Sequence, residues 1–177
     1  MSDGKQAGTV WPAVARVLSS GEWMSWALVR EALLAGLGGA LAIGALGLLT
    51  RLMVTELIIA PFGASCVLLT AVPASPLAQP RNVIAGHMLS SLVGLAVMAV
   101  LGATPFAMAV GVGLAIVVMR LTGTVHPPAG ADPIVVMLLG APWWFFLVPA
   151  GLGAAILVGC AILYHRYVTG VTYPKAA

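Results

Sequence analysis

The chain has 177 residues, of which 61% are hydrophobic and 7% charged, with a mean hydropathy of +1.08 and a formal net charge of +3. Soluble domains carry roughly a quarter charged residues, so this composition excludes an ordinary water-soluble globule and predicts one integral membrane domain with no soluble enzyme domain beside it. The basic residues stand singly at the ends of apolar runs, as topology signals do and as a nucleic-acid-binding patch does not.

Residues 1–29 hold Asp3, Lys5, Arg16 and Glu22, which interrupt any signal-peptide core, and Trp11, Trp23 and Trp26, which predict a helix at the membrane interface. The membrane domain is expected over 30–166, with a tail at 167–177. Its first span, Glu31 to Leu49, carries Gly36, Ala40 and Gly44 at small-xxx-small spacing, a helix-packing face. The second apolar stretch, Leu52 to Val72, is interrupted by Pro61-Phe62-Gly63 and reads as two half-helices. The loop from Pro73 to Asn82 contains Pro73, Pro76 and Pro80 and cannot be continuous helix. A third span covers Val83 to Leu101, and Thr104-Pro105 opens a fourth that runs to about Leu121.

The stretch from Gly123 to Pro133 is polar, titratable and rich in helix breakers, although both flanks are hydrocarbon. Broken backbone at membrane depth survives only where protein covers it or where it lines a cavity. The segment from Pro127 to Gly140 would cover roughly 20 Å as a helix, short of the ~30 Å hydrocarbon core, so it must be a half-span or re-entrant. Trp143-Trp144 then mark an interface, and the last span reaches about Tyr164, followed by His165-Arg166. The predicted class is an all-α membrane protein of about six hydrophobic segments, two of them broken. A four-span chain with two re-entrant helices is the alternative. With six segments and an internal N-terminus, Lys5, Arg16, Arg30, Arg81, Arg120, Arg166 and Lys175 fall inside and Arg51 alone outside. This predicts both termini on the cytoplasmic side of a bacterial inner membrane.

Pro61 to Cys66 parallels Pro128 to Pro133: each opens a short apolar helix at the middle of a three-segment half. Three segments per half make the second half inverted relative to the first, a 3+3 repeat, and paired interrupted helices point to a transporter's binding site. Helix N-termini at Gly63-Ala64-Ser65 and Gly130-Ala131 offer free N–H groups and positive dipole ends to a small anion. His126, with an ordinary pKa near 6.5, is a charge partner or proton carrier, or else a helix cap. Asp132 opposes an anion if ionised, and is expected to cap a helix, pair with Arg81 or Arg120, or hold a proton. Glu56 lies in an apolar run with Arg51 and Arg120 as candidate partners. Arg81 and Asn82, with Gln79 and His87, form a polar group at the inner mouth, and His165 reads as interfacial. Cys66 and Cys160 read as small buried hydrophobes.

The run from Leu121 to Pro133, together with Phe62-Gly63-Ala64-Ser65, Ser75 to Asn82 and Gly86-His87, resembles the linked motifs of the HPP family of integral membrane proteins. The resemblance covers about residues 30 to 165. Plastid and cyanobacterial members of that family are implicated in nitrite transport, so the resemblance implies a transporter or channel for a small inorganic anion, nitrite first. The expected site is Gly63, Ala64, Ser65, Arg81, Asn82, His126, Gly130 and Ala131, with Asp132, His87 and Glu56 in proton coupling or structure. No catalytic motif, metal-ligand spacing or cofactor fingerprint is present, which argues against an enzyme. An intramembrane enzyme using His126 and Asp132, and a scaffold or sensor without transport, are the other classes. Short Gly-rich spans enclose little volume, so a homo-oligomer in the lipid bilayer is expected.

Overall fold

The computed structural model describes residues 25–175. Trp11, Trp23 and the remainder of the expected interfacial helix lie outside the described residues, while Trp26 opens the first long helix. Among the described residues the regular structure is helical throughout. Helix α1 is Trp26–Met53, α2 Pro61–Ala71, α3 Pro80–Leu101, α4 Pro105–Thr122, α5 Asp132–Leu139 and α6 Leu152–Tyr164. A 3-10 turn at Pro127–Ala131 leads into α5. Helix α6 is flanked by irregular turns at both ends, and Trp143–Thr169 is one apolar stretch kinked at Val148, whose backbone is extended (φ −138°, ψ 119°). Among the described residues four stretches are long and apolar enough to cross a membrane: α1, α3, α4 and Trp143–Thr169. The two short apolar helices between them are α2 and Pro127–Leu139, the segments expected to be broken.

Local chemistry sets the breaks. Thr50 ends α1: its hydroxyl accepts from Leu57 N–H at 3.0 Å, turning the chain back as Val54 takes a left-handed conformation (φ 51°) that a β-branched residue rarely adopts. Proline stands in the first turn of α2, α3, α4 and α5, where its missing N–H costs nothing. The Thr104 hydroxyl caps α4 by accepting from Ala107 N–H at 3.1 Å.

The path of the chain follows from which residues meet. Ala35 and Gly36 share a groove with Thr70 and Ala71, and Ile43 shares it with Gly63, so α2 runs antiparallel to α1. Tyr164 Oη donates to Leu34 O, and Gly153 lies against Leu57 and Phe62, so α6 also opposes α1. Gly86 faces His126, Gly94 faces Pro133, and Val97 packs with Met137, so the stretch from His126 through α5 runs parallel to α3. The residues 54–71 and 123–139 therefore each cross as an extended lead followed by a half-helix, in opposite directions. The first three segments and the last three follow the same long–broken–long order with inverted sense. One end of the bundle carries Arg30, Arg81, Arg120, Arg166 and Lys175; the other carries Arg51 and Glu56.

Leu46, Leu57, Phe62, Leu69, Leu95 and Leu157 fill the centre between α1, α2, α3 and α6. The outer surface is apolar as well, with Leu33, Leu41, Leu48, Phe106, Leu121 and Leu163 exposed, as a lipid-facing surface requires. Beyond Thr169 the chain folds back: Tyr173 is buried, and its hydroxyl donates to Ala78 O at 2.9 Å. The residues expected as a tail from 167 thus begin inside the last apolar stretch and end packed against the loop before α3.

Candidate functional site

The two half-helices bring four polar side chains together at the centre. Ser65 comes from the second turn of α2, His87 from the buried face of α3, His126 from the residue before the 3-10 turn, and Asp132 from the start of α5. All four are 0% exposed. Ser65 Oγ lies 2.9 Å from His87 Nε2 and 2.9 Å from His126 Nε2. His87 Nδ1 is 2.8 Å from Asp132 Oδ2, which also accepts from the Ser91 hydroxyl at 3.2 Å. His126 Nδ1 is 2.9 Å from Leu77 O. The line Leu77 O, His126, Ser65, His87, Asp132 is one continuous hydrogen-bonded chain. Asp132 Oδ1 is buried without a partner, a costly state for a polar atom away from water.

Close backbone approach holds the cluster. A Cβ on Gly86 would stand 2.8 Å from His126 Cβ, and one on Gly94 would stand 2.6 Å from Pro133 Cα. Only glycine lets α3 come this near to His126 and to the start of α5. The Ser90 hydroxyl donates to Ala129 O at 2.6 Å and pins the 3-10 turn to α3. The Phe62 ring meets His87 edge-on, with centroids 5.0 Å apart, and closes the cluster on its apolar side.

Toward the basic end lies an open basin of about 670 Å³ lined by Gln79, Arg81, Asn82, Gly123, Pro174 and Lys175 among others, with no acidic residue among the described residues of its wall. Arg81 Nη2 donates to Thr122 O at 2.7 Å, and Asn82 Nδ2 donates to Val125 O at 2.9 Å. The first bond ties the head of α3 to the last residue of α4 and the second ties it to the lead that carries His126, so the basin lies against the segment that leads into the buried cluster.

The expected residues divide into groups. Ser65, His87, His126 and Asp132 converge; Arg81 and Asn82 line the basin. Gly63, Ala64 and Ala131 are exposed on the outside of the bundle and Gly130 is half-buried, and a Cβ at Gly63 or Gly130 would meet nothing within 4 Å. The half-helices thus meet through Ser65 and His126 rather than through the two glycines. Asp132 pairs with His87 and not with Arg81 or Arg120: Arg81 stands at the rim with its guanidinium on a carbonyl, and Arg120 is exposed in the last turn of α4. Glu56 is exposed in the lead to α2, at the end away from Arg120, and takes no part in an ion pair among the described residues. His165, read as interfacial, is buried and bonded to Leu69 O and the Thr169 hydroxyl at 2.8 Å each. The sequence reading overlooked Ser90 and Ser91. Their signal was helical spacing: Val83, His87, Ser90, Ser91 and Gly94 lie on one buried face of α3.

Comparison with known proteins agrees with the motifs. A transmembrane protein of Dictyostelium discoideum is 38% identical over 127 residues, covering 67% of this chain and 45% of its own length. A second transmembrane protein of that organism is 34% identical over 128 residues, covering 68% of this chain and 41% of its own. The chain thus spans less than half the length of these curated relatives. No solved structure matches it. The model of the HPP transmembrane region matches residues 25–174, nearly all of what the structure describes, and the chain belongs to the HPP family of membrane proteins.

Proposed function

We propose that the protein is a transporter or channel for a small monovalent anion, with nitrite the first candidate, and that both termini face the cytoplasmic side of a bacterial inner membrane. The observation that carries this reading is the meeting of two inverted half-helices at a buried, hydrogen-bonded His–Ser–His–Asp cluster behind a basin whose charged side chains among the described residues, Arg81 and Lys175, are cationic. Broken helices in corresponding places of two inverted halves are the usual setting of a substrate site in transporters. The cationic basin raises the local concentration of anions at its mouth. Its placement with Arg30, Arg120 and Arg166 at one end of the bundle supports assigning that end to the cytoplasmic side by the positive-inside rule.

A homo-oligomer completes the reading. Gly36, Ala40 and Gly44 are exposed on α1 at the spacing that lets helices approach closely in lipid, so this is the face for a second copy. A hydrolase is the second reading, favoured by the order Ser65–His87–Asp132, which is that of a nucleophile, base and orienting acid. It is the weaker one because the Ser65 hydroxyl is 0% exposed and is shared with a second histidine.

The test is nitrite flux into liposomes carrying the purified protein, against protein-free liposomes of the same lipid. Protein-dependent flux that His126→Ala abolishes supports the reading. Flux equal to that of empty liposomes, for nitrite and for nitrate, formate and chloride alike, overturns it.

A further inference from the structure

Ser65 has one hydroxyl hydrogen and three neighbours able to accept it: Pro61 O at 3.3 Å, His87 Nε2 and His126 Nε2 at 2.9 Å each. Counting protons along the chain fixes more than the distances do. Leu77 O can only accept, so His126 Nδ1 must carry a hydrogen and donate it. If His126 is neutral, its Nε2 is then bare and takes the Ser65 hydrogen. Ser65 has nothing left for His87, so His87 Nε2 must itself be protonated and donate to Ser65 Oγ. His87 Nδ1 faces the Asp132 carboxyl, and one hydrogen lies between them. The His87–Asp132 pair thus holds two protons between its members and is neutral overall. The opposite assignment, with Nε2–H on His126 and the Ser65 hydrogen given to His87, needs the same number. If Ser65 donates to Pro61 O instead, both Nε2 atoms must be protonated and the count rises by one. In every arrangement the cluster holds at least one proton more than an aspartate and two neutral histidines.

We propose that Ser65 is a proton relay between His87 and His126, and that the extra proton is the one that accompanies the transported anion. The step balances without any other reactant. Ser65 gives its hydroxyl proton to His126 Nε2 as His87 gives its Nε2 proton to Ser65 Oγ. One O–H and one N–H bond break, and one of each forms. His126 becomes an imidazolium, still donating from Nδ1 to Leu77 O, and the His87–Asp132 pair is left one proton poorer. The charge has moved from α3 to the lead of α5, next to Val125, whose carbonyl holds the basin residue Asn82. There it is a counter-charge for an anion arriving through the basin.

Among the described residues no other titratable group competes at the cluster. Helix α2 presents Ser65, and its Cys66 lies against Gly39 of α1. Helix α3 presents His87 with Ser90 and Ser91, and the turn and α5 present His126 and Asp132. Helix α6 presents Gly153, against Phe62. Arg81, Arg120 and Glu56 are all exposed elsewhere.

The relay is tested without any substrate, and the coupling rests on the anion reading above. The chain has three histidines, so solid-state NMR of the 15N-histidine-labelled protein in lipid bilayers reports all the ring nitrogens, assigned with His165→Asn and His87→Asn. The expected result at neutral pH is a protonated His126 Nδ1, one protonated and one bare Nε2 across His87 and His126, and exchange between those two Nε2 sites. Ser65→Thr, which keeps the hydroxyl, should preserve the exchange, and Ser65→Ala should stop it. Two bare Nε2 atoms in the wild-type protein overturn the relay whatever the variants do. In liposomes, an inward proton gradient should drive nitrite accumulation by the wild type and Ser65→Thr but not by Ser65→Ala. Nitrite flux indifferent to the gradient removes the coupling. Relay exchange without any anion flux leaves the relay standing and removes the anion reading.

Discussion

Replacing Gly94 by alanine should disconnect the buried cluster without touching any of its four side chains. The added Cβ would stand 2.6 Å from Pro133 Cα and 3.2 Å from Pro133 Cβ. Carbon atoms rest at about 3.5–4.0 Å, so α3 and the start of α5 must separate by roughly 1 Å. Neither partner is a flexible side-chain tip; both belong to the backbone or to a ring fused to it, and the helices must move as bodies. Overpacking of this kind costs about 1–3 kcal/mol. Asp132 precedes Pro133, so the shift stretches its 2.8 Å bond to His87 to the limit of hydrogen-bond geometry or past it. Gly130→Ala is the control, since its Cβ would meet nothing within 4 Å. Thermal denaturation of the two purified variants in the same detergent should show Gly94→Ala melting below wild type and Gly130→Ala melting with it. The histidine NMR of Gly94→Ala should show His87 released from Asp132. A Gly94→Ala protein with the wild-type melting temperature and an undisturbed His87 would refute the close packing of α3 on α5 and the positioning argument built on it.

The buried pair should behave as a unit: Asp132→Leu alone, which strands His87, should cost on the order of 3–5 kcal/mol, and adding His87→Phe should recover part of the loss, read by chemical denaturation of the single and double variants. Tyr164→Phe removes the hydroxyl that α6 places on Leu34 O and should cost about 0.5–1.5 kcal/mol in the same assay. Arg81→Gln with Lys175→Gln should leave the fold in place but slow anion flux and flatten its dependence on salt, because two of the basin's positive charges are gone. In a background lacking Cys66 and Cys160, cysteines placed at Pro76 and Trp143 should react with impermeant reagent from opposite sides of the membrane; labelling from one side would replace the six-crossing path by a re-entrant one.

The fold was legible where backbone chemistry is local. The breaks at Pro61 and from Gly123 to Pro133, the proline-rich loop before α3 and the turn at Thr104-Pro105 are written in residues that cannot continue a helix, so the segments appear in the structure close to where the sequence puts them. The stretch from Leu52 to Val72 departs from the expected pair of half-helices: the first long helix runs on to Met53, residues 54–60 are not helical, and only the half-helix from Pro61 forms, because Pro61 starts a helix well but cannot continue one from the residues before it. What the sequence did not show is depth. His87 follows Arg81 by less than two turns, about 9 Å along a helix, and in a linear reading the two belong to one polar group at the membrane mouth. In the structure that distance separates an exposed guanidinium from a fully buried imidazole. His165 was misread for the same reason: its neighbour Arg166 is exposed, but one step of 100° around the helix turns the imidazole inward onto Leu69 O.

The pattern that locates the cluster is an inverted amphipathicity. In a soluble helix the polar face looks outward; in α3, past Arg81 in its first turn, the exposed positions are Leu92, Ala96, Ala99, Val100 and Leu101, and His87, Ser90 and Ser91 look inward with Gly86 and Gly94 beside them. In lipid the interior is the place where a polar group can find a partner, so polar and small residues that recur together on one helical face mark the inside of the bundle. Read with that rule, His87, Ser90 and Ser91 belong with His126 and Asp132, because the other polar inward-facing segment is the one that carries them. The glycines serve the same end from the backbone side. Gly86 and Gly94 stand two turns apart on the face that meets His126 and Pro133, and they set how near the second broken segment can come to α3. Ser65 then needs only the inversion of the two halves to reach that point from the first broken segment, so the cluster lies at the junction of the repeats and takes residues from both. A single half of the molecule, with Ser65 and His87 but without His126 and Asp132, would hold a hydroxyl and an imidazole with no acceptor chain to join; the proton inventory exists only when the two halves are packed together.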